Sequence, residues 1–147
     1  MTLENLFAIQ KLQKLTPDGA AIRKLLAAAK RNLQDAQLPE LSAENRFDAS
    51  YKVIMQCAMI GLQANGYRLS TSQPGHHQTA IQTLPKSLGI DPSTMIVLDA
   101  LRKRRNLNDY DGDPVPEALL AACFAHAEKL LTHTASWLSL HHRHLTD

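Results

Sequence analysis

The chain has 147 residues and a mass of 16.3 kDa; 44% of it is hydrophobic, 20% charged and 5% aromatic, which fits a folded domain and argues against a disordered or fibrous polymer. Sixteen Lys and Arg against fourteen Asp and Glu leave a net charge of +2, too little for a protein that coats nucleic acid without selectivity, so any nucleic-acid contact must be local. At this size about 70% of the unfolded surface can be buried, so one domain over residues 1–147 needs neither a disulfide nor a structural metal, and no cofactor is expected.

Cys57 and Cys123 stand far apart among apolar neighbours with no paired spacing, which predicts buried, reduced thiols and a cytoplasmic protein. Met1-Thr2-Leu3-Glu4 lacks the basic segment and apolar run of a signal peptide, and the apolar stretch near Val53 to Leu62 is too short to span a bilayer. Secretion and membrane insertion are therefore both disfavoured.

Periodicity predicts helix along most of the chain and no strand anywhere. The residues before Thr16, with Leu3, Leu6, Phe7 and Leu15, form either a short helix or an arm that packs on a neighbour. Thr16-Pro17-Asp18 reads as an N-cap with proline in the first turn, followed by a stripe of Ile22, Leu25, Leu26, Ala29 and Leu33 that ends near Pro39. Ser42 caps a longer helix whose face carries Phe47, Tyr51, Ile54, Met55, Ala58, Met59 and Leu62, and Asn65-Gly66 stops it. After the loop Thr71-Ser72-Gln73-Pro74-Gly75, a short helix with His77, Ile81, Leu84 and Leu88 must be kinked or divided by Pro85. Asp91-Pro92 opens a helix through Met95, Leu98 and Leu101 to about Asn108, closed by Asp111-Gly112-Asp113-Pro114. A last helix starts near Pro116 with Leu119, Leu120, Cys123, Phe124, Ala127, Leu131 and Leu138 inward. Four to five such antiparallel helices, each needing its stripe covered, predict an all-α, up-and-down bundle.

The most polar cluster runs from Arg102 to Asp113, with four consecutive cations ending a helix and carboxylates at its exit. Its plain reading is helix-terminus electrostatics and turn chemistry, since cations near a helix C-terminus gain roughly 0.3 to 1 kcal/mol each from the macrodipole. Arg105, however, follows Leu98 by seven residues and Leu101 by four, so it continues the inward stripe. A guanidinium on that face needs oxyanion partners, and Asp109, Asp111, a second chain's carboxylate or a bound phosphate can each supply them.

Arg105-Asn106-x-x-x-Tyr110 on the penultimate helix of a small all-α chain resembles the Arg-x4-6-His signature of HEPN domains. Asn45-Arg46-Phe47-Asp48-Ala49-Ser50-Tyr51, Gly66-Tyr67-Arg68, Pro74-Gly75-His76-His77 and Leu101 through Tyr110-x-Gly112 are similar to a bacterial subgroup of that family, in order, over about Leu41 to Leu131. The resemblance implies a helical bundle that forms a homodimer, with the two motif helices lining one shared cleft. It implies RNA or nucleotide binding there, with Arg105 on the phosphate and Asn106 beside it. Active members are metal-independent endoribonucleases, frequently toxins paired with a nucleotidyltransferase antitoxin; others bind without cutting.

Tyr110 stands where the histidine belongs, and a phenol with an ordinary pKa near 10 is a poorer base at neutral pH than an imidazole near 6.5. Its available roles are a hydrogen bond to phosphate, stacking on a base, or packing at the helix end. The expectation is thus a dimeric RNA- or nucleotide-phosphate-binding protein, with an active endoribonuclease and a non-catalytic interaction bundle as alternatives. Arg102, Arg68, His76 and His77 are candidate nucleic-acid contacts. Adjacent histidines at a helix start diverge, so at most one of His76 and His77 is expected at any one site, as a cap, a packing group or the missing proton-transfer group. Cys123, His126 and His133 are too spread for one metal, and His141-His142-x-His144 lies at an end expected to fray, so no metal site is expected.

Overall fold

In the computed structural model, which describes residues 1–72 and 74–146, several helix starts are set by side chains that satisfy free backbone N–H groups. Ser42 Oγ accepts from Asn45 N at 3.1 Å and opens α3 (Ala43–Ala64). Asp18 Oδ1 accepts from Ala20 N at 3.0 Å and opens α2 (Gly19–Asp35). Asp91 Oδ1 accepts from Ser93 N at 3.0 Å and opens α6 (Pro92–Asp111), with Pro92 at the start of the helix. The remaining helices are α1 (Leu3–Ala8), α4 (His76–Gln82), α5 (Leu84–Ser87) and α7 (Glu117–His141). The protein is an all-α helical bundle, and no helix among the described residues is long and apolar enough to cross a membrane.

Helix α3 forms the axis. Its Phe47, Tyr51, Val53, Ile54, Cys57, Ala58, Ile60 and Leu62 are all buried, and it packs against both α2 and α7. The main core joins these residues to Ile81, Leu84 and Leu88 from α4, α5 and the residue after it, and to Leu98, Leu101, Leu120, Cys123 and Ala127 from α6 and α7. A second cluster of Ile22, Ile60, Ala64, Leu138 and Leu145 ties the end of α7 and a final 3-10 turn (Arg143–Leu145) to α2 and α3. Both thiols are buried and free.

Several expectations are corrected. A two-stranded antiparallel sheet is present, β1 (Leu12–Lys14) pairing with β2 (Tyr67–Leu69) in the register Leu12↔Leu69, Gln13↔Arg68 and Lys14↔Tyr67. Three residues per strand are too few to display alternation in sequence, which is why periodicity missed them. The N-terminal segment therefore packs on its own chain. Lys14 Nζ donates to Glu4 Oε2 at 3.3 Å and to Tyr67 Oη at 3.2 Å, and Leu6, Leu12, Leu62 and Tyr67 form a small core beneath. The cap of α2 is Asp18 rather than Thr16, so Pro17 precedes the cap, and α2 ends at Asp35 rather than near Pro39. Of the two outcomes expected at Pro85, division is the one found: α4 ends before Thr83 and proline sits in the first turn of α5. Helix α6 continues to Asp111, where Gly112 adopts φ +72° and stops it. Phe124 is half-buried rather than part of the core. Gln73, in the expected loop, lies outside the described residues.

Gly61 marks the closest packing on α3. A Cβ there would lie 2.8 Å from Leu88 Cγ and 2.9 Å from Ser87 Oγ. Gly61→Ala is expected to destabilise the fold by roughly 1 to 3 kcal/mol through overpacking, read as a lower urea midpoint at unchanged slope.

Candidate functional site: a cationic cleft along α3

One face of α3 is only partly covered between α2, β2 and α4: Met55 and Leu62 on it are buried, Gln56, Met59 and Gln63 are partly exposed, and Lys52 is exposed. Lys52, Met55, Gln56, Met59, Leu62 and Gln63 recur at helical spacing along it, and the eleven steps of 1.5 Å from Lys52 to Gln63 make that strip about 16 Å long. Around the strip lies a cleft of about 680 Å³, completed by Asn32 from α2, Arg68 and Leu69 from β2, Thr71, His76 and His77 from α4, and Tyr51 and Arg105 at one end. Among its described lining residues are three permanent cations, two imidazoles and no carboxylate.

Arg105 is anchored rather than solvated. The inward stripe of α6 carries it towards α3, leaving its side chain 24% exposed. Its Nε donates to Asp48 Oδ1 at 3.2 Å, its Nη2 lies 3.8 Å from Asp109 Oδ2, and the guanidinium carbon stands 4.8 Å from the Tyr51 ring centroid. Two carboxylates and an aromatic face thus orient the fork, while the cleft contacts the same side chain. Asp109 is a partner named by spacing. Asp48, 57 positions away on another helix, is not legible from the local cluster.

Both His76 and His77 line the cleft, against the expectation that at most one would. Gly75, at φ +76°, turns the chain into α4 so that the two rings meet edge to face with centroids 4.8 Å apart. His77 Nδ1 lies 3.4 Å from Tyr51 Oη. Burial pushes the His77 pKa below the ordinary 6.5, and His76, Arg105 and Arg102 push it further the same way, so its neutral form dominates at pH 7. A bound anion would reverse the effect of those cations.

Other candidates fall outside the cleft. Arg102 spends its Nε on Asp99 Oδ1 at 2.8 Å, with Lys103 Nζ 3.7 Å from Asp99 Oδ2. Asn106 is exposed and Tyr110 is 91% exposed, because α6 buries only Leu98 and Leu101 and its C-terminal half projects beyond the core. Within one chain, therefore, Arg105 shares its cleft with His76, His77 and Arg68, and not with Asn106 or Tyr110. The residues that sequence reasoning missed are Lys52, Gln56, Gln63 and Asn32, whose signal was the polar interruption of the Met55, Met59 and Leu62 stripe. Among the described residues no group of three or more His, Cys, Asp or Glu side chains is arranged to hold a metal; His141, His142 and His144 surround Trp137 or one another through ring contacts.

Burial also raises three acids: Tyr51 from 10.0, and Cys57 and Cys123 from 9.0, each to about 12. The unfolded chain then releases these protons at lower pH than the folded one, so folding stability falls as pH rises from about 9 towards 12. A pH series of melting temperatures is expected to decline over that range, and Tyr51→Phe is expected to make the decline above pH 10 shallower, leaving the share of the two cysteines.

Comparison of the chain with protein-family models, with curated proteins and with solved structures finds no match in any of the three.

Proposed function

We propose that the protein is a HEPN-like homodimer that binds RNA or a nucleotide phosphate at Arg105. The observation that carries this reading is an arginine held by two carboxylates and a tyrosine ring at the mouth of a cleft whose other charged lining residues, Lys52 and Arg68, are also cations. A phosphate dianion entering there meets pre-oriented donors and no like charge among the described lining residues. Asp48 and Asp109, which pair with the arginine, are not among the described lining residues of the cleft. The second copy is supported by the projecting half of α6, where Leu107 and Tyr110 are exposed beside Asn106; a partner seated on that end covers apolar surface and brings its own motif near.

Titration of the protein with a short single-stranded RNA should give an affinity that falls steeply with salt as counterions cease to be released favourably. Light scattering at micromolar concentration should give twice the chain mass. Salt-independent binding or a strict monomer would count against the respective half of the proposal.

His77 favours a second reading, endonucleolytic cleavage. A neutral imidazole in the cleft, rather than the exposed Tyr110, is suited to take the proton of a ribose 2′-hydroxyl as that oxygen attacks the adjacent phosphorus; the 5′-oxygen leaves as a hydroxyl with a proton from water, giving a 2′,3′-cyclic phosphate. Structured RNA incubated in EDTA should then be cut by the wild type and not by His77→Gln; uncut RNA throughout removes this reading. A nucleotidyltransferase antitoxin is the partner that the resemblance would add.

A further inference from the structure

Resting on the phosphate reading of Arg105, we infer that the middle of the cleft is a receptor for one unpaired nucleobase, lying on Met55 and Met59 with its edge met by the carboxamides of Asn32, Gln56 and Gln63. A site for phosphate alone needs only cations and N–H donors. This cleft extends about 16 Å along α3, and its volume of about 680 Å³ lies within the ordinary range for a whole small-molecule ligand. Its floor is the wrong chemistry for an ion and the right one for a ring: methionine thioethers are polarizable, adapt to flat surfaces and make favourable contacts with aromatic systems.

The polar groups on the strip are equally selective in kind. Asn32, Gln56 and Gln63 are neutral amides that carry both donor and acceptor, which suits the mixed edge of a heterocycle better than an acid or a base would. Asn32 Nδ2 already donates to Gln56 Oε1 at 2.9 Å, which ties α2 to α3 and leaves Gln56 Nε2 as a donor and Asn32 Oδ1 as an acceptor. Gln63 lies one heptad beyond Gln56 on the same face, with Met59 between them. A base in a duplex is stacked and paired on its edge, so it cannot occupy such a strip; a free nucleotide or a single-stranded residue can.

The test compares adenosine 5′-monophosphate and uridine 5′-monophosphate with ribose 5-phosphate by calorimetric titration at fixed salt and pH. At least one nucleotide should bind roughly tenfold more tightly than ribose 5-phosphate, the upper end of what contact between a ring and a methionine thioether provides. Gln56→Leu and Gln63→Leu, which keep helix-forming side chains on an accessible face, should bring nucleotide affinity down towards that of ribose 5-phosphate while leaving the latter unchanged; Met59→Ser should do the same provided its circular dichroism is that of the wild type. Arg105→Ala should weaken all three ligands. Equal affinities for nucleotide and ribose 5-phosphate would overturn the base receptor while leaving the phosphate reading intact. No binding of any of the three, or of a single-stranded oligonucleotide, would overturn both. A single-stranded oligonucleotide bound more tightly than the nucleotide, with its duplex bound less tightly, would identify RNA as the source of the base; the nucleotide bound alone would identify a free nucleotide.

Discussion

Arg105→Ala is expected to weaken binding of a nucleotide phosphate or single-stranded RNA by roughly tenfold to a hundredfold, the loss of one charge-assisted hydrogen-bonding group worth about 1.5 to 3 kcal/mol. The accompanying change in fold stability should be small. Removing a buried ion-pair partner is costly when it strands the other charge, but Asp48 and Asp109 have side chains 40% and 55% exposed and remain hydrated without the arginine. The stack on Tyr51 adds about 0.5 to 1 kcal/mol at such a site, so the total cost should stay near 1 kcal/mol. Arg105→Lys should recover only part of the affinity, because an ammonium cannot satisfy Asp48, Asp109 and a phosphate with a planar fork. Calorimetric titration paired with thermal melting separates the two quantities. A variant that loses stability and affinity together would mean that Arg105 holds the bundle and not a ligand.

Phe47→Ala is expected to cost the fold about 3 to 5 kcal/mol, a large share of the stability of an ordinary domain. Phe47 is 1% exposed, belongs to the main core, and lies one residue before Asp48 and four before Tyr51. Its ring therefore fixes the turn of α3 from which the two groups orienting Arg105 project. Urea unfolding should show a much lower midpoint with a similar slope, and Phe47→Leu should retain most of the stability that alanine loses. A midpoint unchanged by the alanine would contradict the placement of Phe47 in the core.

Helix identities were legible wherever a stripe and a cap coincided. Ser42, Asp91 and the glycines at 66 and 112 mark boundaries by backbone chemistry that does not depend on the rest of the fold. Thr16-Pro17-Asp18 offered two competing caps, and the tertiary setting selected Asp18. The β1–β2 pair was invisible because it depends on residues some 55 positions apart meeting, with no more than three residues in each strand.

The candidate site divides along the same line. The heptad relation of Arg105 to Leu98 placed it on the inward face of α6, and its side chain is indeed half-buried. What spacing did not reveal is which surface it meets. Met55, Met59 and Leu62 satisfy the pattern of a core stripe, yet Met59 is only partly buried and all three border the cleft. Hydrophobic periodicity records which face is apolar and carries no information on whether a neighbour covers it. The gap arises because α2 and β2 flank α3 on this side without closing over it. Tyr110 shows the converse. It continues a family pattern in sequence, and the projection of α6 beyond Leu101 leaves it outside the cleft that Arg105 borders in one chain.

The most direct test is a titration of isotopically labelled protein with adenosine 5′-monophosphate, followed by nuclear magnetic resonance of backbone amides, the Arg105 Nε–H and the histidine rings. Saturable shifts confined to Arg105, His76, His77, Tyr51, Asn32, Arg68 and the strip from Lys52 to Gln63 are the predicted result. Saturable shifts elsewhere, with these resonances unmoved, would contradict it.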